Sequence, residues 1–147
     1  MRAHPKFALL LLLPVLAACP LSSGTDDDPD PASPDALVGF WRYTIPGDVE
    51  TTIRFANDGT LQVLDAFLSE ARCESELGWW QVADGVISYG LTEVNGQPSS
   101  ETGTVPYVIS GGTLTLDPGG DEEVLTRFDG PMATCGDYGW PSLVIFE

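Results

Sequence analysis

The stretch Val49-Glu50-Thr51-Thr52-Ile53-Arg54-Phe55-Ala56-Asn57-Asp58-Gly59-Thr60-Leu61-Gln62-Val63-Leu64-Asp65-Ala66-Phe67 reads as two strands and the turn that joins them. Val49, Thr51, Ile53 and Phe55 fall on one face, with Glu50, Thr52 and Arg54 on the other. A period of two places one side of a sheet against a core and the other in water. Asn57-Asp58-Gly59 supplies residues that tolerate positive φ, which a tight reversal needs. Thr60–Phe67 then runs back along the first strand.

The same text continues in both directions. Further strands are expected at Val38–Thr44, Leu77–Val82, Val86–Glu93, Thr104–Ile109, Thr113–Leu116, Glu122–Phe128 and Leu143–Phe146. Between them stand Ile45-Pro46-Gly47-Asp48, Asp84-Gly85, Asn95-Gly96, Gly111-Gly112 and Pro118-Gly119-Gly120, all turn chemistry. Only Ala66–Cys73, with Phe67, Leu68 and Ala71, has the composition for a short helix or lid. Short strands at this spacing predict an all-β antiparallel barrel or sandwich of about eight to nine strands.

The N-terminus reads differently. Arg2, His4 and Lys6 precede an apolar run from Phe7 to Ala17, broken by Pro14. A run of about ten to fourteen residues is too short to span a bilayer as a helix and suits a cleavable export signal. It ends in Leu16-Ala17-Ala18-Cys19, which resembles the lipobox of bacterial lipoproteins. That resemblance implies cleavage after residue 18, acyl chains on Cys19, and a protein held to a membrane by lipid. An ordinary signal cut before a free Cys19 is the alternative. Stable anchoring takes at least two acyl chains, which a lipoprotein cysteine carries. Pro20, in place of an aspartate after the cysteine, implies the outer membrane where the cell has two. Residues 20–36, rich in Asp, Pro and Ser, read as an acidic tether, and 37–147 as the folded domain.

Loss of the signal removes Arg2, Lys6 and the sole histidine, His4. Arg42, Arg54, Arg72 and Arg127 then stand against all 22 acidic residues, a net charge of −18. Such a chain repels nucleic acid and anionic head groups. With Cys19 assigned to lipid, Cys73 and Cys135 remain as a pair, and outside the cytoplasm an even pair is most simply a disulfide. Two buried free thiols are the other option.

Leu37-Val38-Gly39-Phe40-Trp41 opens the first strand, and its Gly-x-Trp resembles the N-terminal motif of lipocalins and of smaller lipocalin-like bacterial lipoproteins. Ile53–Thr60 and Leu77–Val82 resemble that group's second hairpin and following strand. The resemblance implies an up-and-down barrel, Trp41 closing one end, and Arg127 packing across the indole as a structural Trp–Arg pair. It also implies a lumen able to hold a small apolar ligand; Trp41, Phe55, Trp79, Tyr89 and Tyr107 are candidate lining residues because they sit in strand patterns.

Few catalytic options survive export. Without histidine or lysine, neither a Ser-His-Asp arrangement, a lysine nucleophile nor a histidine-based zinc site can form. Glu70, Glu74 and Glu76 near Arg72, and Asp117, Asp121, Glu122 and Glu123, are read as solvated surface. No enzyme activity, cofactor or metal is expected. The preferred reading is a lipid-anchored envelope protein with a structural or protein-interaction role, in which Tyr138 and Trp140 contact a partner. The alternative is a binder of a small apolar ligand, which requires a cavity of at least about 300 Å³.

Overall fold

The computed structural model describes residues 33–140. The signal, Cys19, most of the tether and the strand expected at Leu143–Phe146 lie outside the described residues. Helix α1 (Pro34–Leu37) is followed by β1 (Gly39–Ile45), β2 (Val49–Phe55), β3 (Thr60–Phe67), β4 (Arg72–Ala83) and β5 (Val86–Val94). Then come β6 (Gln97–Pro98), β7 (Thr102–Ser110), β8 (Thr113–Leu116), β9 (Glu123–Phe128) and a 3-10 turn, Cys135–Tyr138. Each strand pairs antiparallel with its neighbours, β9 returns to β1, and a further β4–β5 pairing closes the sheet. The result is an eight-stranded up-and-down barrel, with β6 added only to β5. Closure leaves the barrel strands without free edges.

Turn chemistry places the hairpins. Asp84 and Gly85 have φ of 52° and 73°, and Asn95 and Gly96 have 51° and 76°. Positive φ at both central residues is the type I′ reversal, whose twist matches that of the flanking strands. At the Asn57–Gly59 turn, Asp58 Oδ1 accepts from the Thr60 amide at 2.9 Å. That bond and the Thr60 hydroxyl hold the Asp58 carboxyl below its ordinary value.

Two expectations are corrected. Ala66–Cys73 forms neither helix nor lid: Ala66 and Phe67 finish β3, Arg72 and Cys73 begin β4, and Ala66 pairs with Cys73. Ala71, at φ 49°, turns the chain between them. The physical reason is register, because the β3–β4 ladder extends to both sides of the turn and leaves too few residues for a helix. The extra strand beyond eight is Gln97–Pro98, which was not expected.

One end of the barrel is sealed. Leu37 and Trp41 are completely buried, and the Trp41 indole donates to Leu37 O at 2.8 Å. The Arg127 guanidinium lies 4.3 Å from the Trp41 ring centre. It donates to Val38 O at 2.8 Å and also to Ala36 O. Carbonyls at the end of α1, which have no partner within the helix, are thus satisfied by the indole and the guanidinium. Gly39 permits this: its φ is +138°, and a Cβ there would lie 2.6 Å from Arg127 Nη1. The Gly-x-Trp motif is therefore a packing requirement, since any side chain at 39 displaces the arginine. Above this plug, Phe55 and Trp80 meet edge to face at 5.2 Å, and Trp80 Nε1 donates to Ala56 O at 3.0 Å.

A second, external cluster covers β3 and β4. Cys73 and Cys135 form a disulfide with Cα atoms 5.6 Å apart. Around it Leu64, Met132, Ala133, Tyr138 and Trp140 pack together. Leu64 and Cys73, on the outer face, are consequently as buried as the core.

Candidate functional site

The lumen above the plug is not filled. A cavity of about 390 Å³ lies between the strands. Ile53, Phe55, Leu61, Val63, Ile87, Tyr89, Leu91, Val105 and Leu116 make an apolar wall. These are inward positions of β2, β3, β5, β7 and β8, alternating with outward residues such as Arg54 and Gln62, whose side chains bond each other at 2.8 Å. At the far end from Trp41 the lining changes to Thr51, Asp65, Glu76, Glu101, Asp117, Asp121 and Glu123. Among the described residues, six carboxylates and no basic residue border that opening.

Two of the carboxylates sit deepest. Asp65 continues the inward row of Leu61 and Val63, and accepts from the Thr51 hydroxyl at 2.5 Å. Burial nevertheless pushes its pKa up, against that hydrogen bond and the more distant charge of Arg72. Burial also raises Glu76, and the neighbouring charges of Asp65 and Glu101 raise it further. Desolvation and like charge both oppose ionisation. Each group holds its proton more tightly folded than unfolded, so each makes folding less favourable as pH rises from its ordinary value through its folded one. Arg72 does not neutralise the rim, because Glu70 and Glu74 hold its guanidinium. Asp117 is tied into its own loop and accepts from the Asp121 amide at 3.2 Å.

Among the five lining residues expected from sequence, Phe55 and Tyr89 face the cavity. Trp41 does not, because it is the sealed floor beneath. Tyr107 lies in the packed core rather than on the cavity wall. Trp79 points outward with 42% of its surface exposed, its ring lying across Gly90 of β5. Adjacent residues of a strand face opposite sides, so with Trp80 inside, Trp79 must be outside. The Trp41–Arg127 stack and the Cys73–Cys135 bond are both formed. Tyr138 and Trp140 are half-buried: their rings stack at 5.0 Å, and the Tyr138 hydroxyl donates to Glu50 at 2.9 Å. Burial and that carboxylate push the Tyr138 pKa up to about 12.

The residues that sequence reasoning missed are the carboxylates at the opening. Glu76, Asp117, Asp121 and Glu123 read as solvated surface in the sequence, yet they border the lumen with Asp65 and Glu101. Asp65 carried a readable signal, since it stands in phase with Leu61 and Val63. The others come from separate strands and loops, and nothing local connects them. Among the described residues, no three Asp, Glu, His or Cys side chains converge closely enough to hold a metal ion. The chain matches no protein-family model and no curated protein sequence.

Proposed function

We propose that this chain is an exported lipoprotein anchored through Cys19, whose non-enzymatic barrel binds a small molecule with an apolar part in its lumen. The observation that carries the binding role is the cavity of about 390 Å³ above the Trp41 plug. It exceeds the roughly 300 Å³ at which ligand pockets begin, and its walls are apolar. A docking protein calls instead for one continuous exposed apolar face. Here the large exposed apolar side chains fall at separate places: Ile45 and Leu68 at the strand ends, Leu77 and Trp79 on β4, Val108 and Val124 on β7 and β9. Ligand binding in the lumen therefore displaces the interaction role as the preferred reading. The absence of histidine and lysine after export supports a non-catalytic role, and the net charge disfavours nucleic acid.

Two experiments test the two halves. A neutral apolar fluorophore should bind the wild-type chain saturably at one site, and Val63→Trp, which fills the lumen from its wall, should abolish that binding. No saturable binding by the wild type, or full binding by Val63→Trp, overturns the lumen reading. For the anchor, Cys19→Ser should release the chain from the membrane fraction or leave its signal uncut. Unchanged membrane retention with normal processing overturns it.

A further inference from the structure

We infer that the lumen selects a cationic amphiphile: a small molecule whose apolar body occupies the cavity and whose positive head group sits among the carboxylates at the opening. This rests on the reading of the lumen as a ligand site and specifies the chemical class that site takes. Ile53, Phe55, Leu61, Val63 and Leu91 supply a floor and wall for hydrocarbon. The opening carries Asp65 from β3, Glu76 from β4, Glu101 ahead of β7, Asp117 after β8, and Asp121 and Glu123 around the start of β9. Among the described residues, no lysine or arginine lines the cavity.

An acidic excess over the whole surface does not account for this arrangement. Asp65 and Glu76 are inward positions of a barrel, in line with aliphatic residues, where the strand pattern calls for apolar side chains. Placing like charges there costs folding free energy, seen in the raised pKa of both groups. Departures from the local rule without a compensating counter-charge concentrate where a protein does its work. Arg72, whose charge reaches Asp65, is already paired with Glu70 and Glu74. A ligand cation would therefore be the first counter-charge within the opening, and the low dielectric of the lumen strengthens that attraction.

The geometry also narrows the cation. The carboxylates ring the opening from five strands or their ends, and no three of them meet as metal ligands do. A spread ring of charge suits an amine or quaternary ammonium, which needs no tight coordination shell. It repels fatty acids and other anionic amphiphiles, although their hydrocarbon would fit equally well.

The test is competition on the purified full chain against the neutral fluorophore, with three probes sharing one alkyl chain: octyltrimethylammonium, 1-octanol and octyl sulfate. Octyltrimethylammonium should bind at least about tenfold more tightly than 1-octanol, a modest yield for a cation facing several partly desolvated carboxylates. Octyl sulfate should bind more weakly than either. The preference should shrink with added salt and in Glu76→Gln/Glu101→Gln. Glu101 is exposed, so Glu101→Gln alone keeps the fold and should lower the preference in part. If 1-octanol equals or beats the ammonium while the fluorophore still binds, the charge selection is wrong and the lumen reading stands. If the wild type binds no fluorophore, the lumen reading fails and takes this inference with it.

Discussion

Trp41→Ala lowers the unfolding free energy by about 3–5 kcal/mol, the range for removing a fully buried tryptophan from a core. Trp41 has no exposed surface and touches the two elements that seal the barrel. Its loss empties the floor, leaves Leu37 O without the indole donor at 2.8 Å, and strips the ring from beneath Arg127. Three costs therefore act together: lost burial, an unsatisfied carbonyl and a lost cation–π contact, the last worth about 0.5–2 kcal/mol. Denaturant titration followed by circular dichroism reads the change. Trp41→Phe should fall between, since it keeps most of the packing and loses the hydrogen bond, about 1–3 kcal/mol for a buried carbonyl left unmet. A Trp41→Ala unfolding free energy within about 0.5 kcal/mol of wild type, the range of surface substitutions, would show that the plug does not hold the barrel.

Breaking the Cys73–Cys135 bond has the second largest expected effect. The bond joins residues 62 apart in the chain and encloses every strand from β4 to β9. Cross-linking a loop of that length restricts the unfolded chain by about 4 kcal/mol in the entropy model, with measured losses of about 2–5 kcal/mol. Cys73→Ala/Cys135→Ala should therefore unfold at clearly lower denaturant than the oxidised wild type. Reduction of the wild type should reproduce the shift. The substitution also loosens the external cluster, because Met132, Ala133, Tyr138 and Trp140 pack on β3 and β4 around that bond. Since Tyr138 donates to Glu50, freeing the segment should return its hydroxyl towards an ordinary tyrosine titration from its raised value of about 12. An unchanged midpoint under reducing conditions, with an unchanged tyrosine titration, falsifies the stabilising role of the bond.

Much of the barrel is legible in the sequence. Val49–Phe55, Thr60–Phe67 and Thr113–Leu116 have the bounds that alternation and turn residues predict. The reason is local, because a two-residue period and residues that accept positive φ are properties of neighbours in the chain. The strand pattern of β4 is legible only from Leu77; ahead of it, Arg72 and Cys73 read as the end of a short helix or lid, and Glu74 and Glu76 as solvated carboxylates. There the inward row carries a carboxylate instead of an aliphatic side chain, so the pattern that marks a strand disappears where the candidate site begins. β6 was missed because two residues are too few to carry a period.

The candidate site divides along the same line. That aromatic side chains sit in strands was legible, but which of them face inward was not. Trp79 and Trp80 read alike, and a shift of one residue in phase exchanges inside for outside along a strand. Register against β3 and β5 settles that phase, and register depends on pairing between residues far apart in the chain. By itself the sequence determined the all-β class of the domain and the sites of its hairpins, because these rest on short-range geometry; the pairing of Cys73 with Cys135 it left open against free thiols, and the stacking of Arg127 on Trp41 was legible only through the resemblance to lipocalins. Only the tertiary structure decided that the lumen stays open above the plug and that Asp65, Glu76, Glu101, Asp117, Asp121 and Glu123 share one opening. Those residues are spread along more than half of the folded chain, and they meet because β4 closes on β5 and β9 closes on β1.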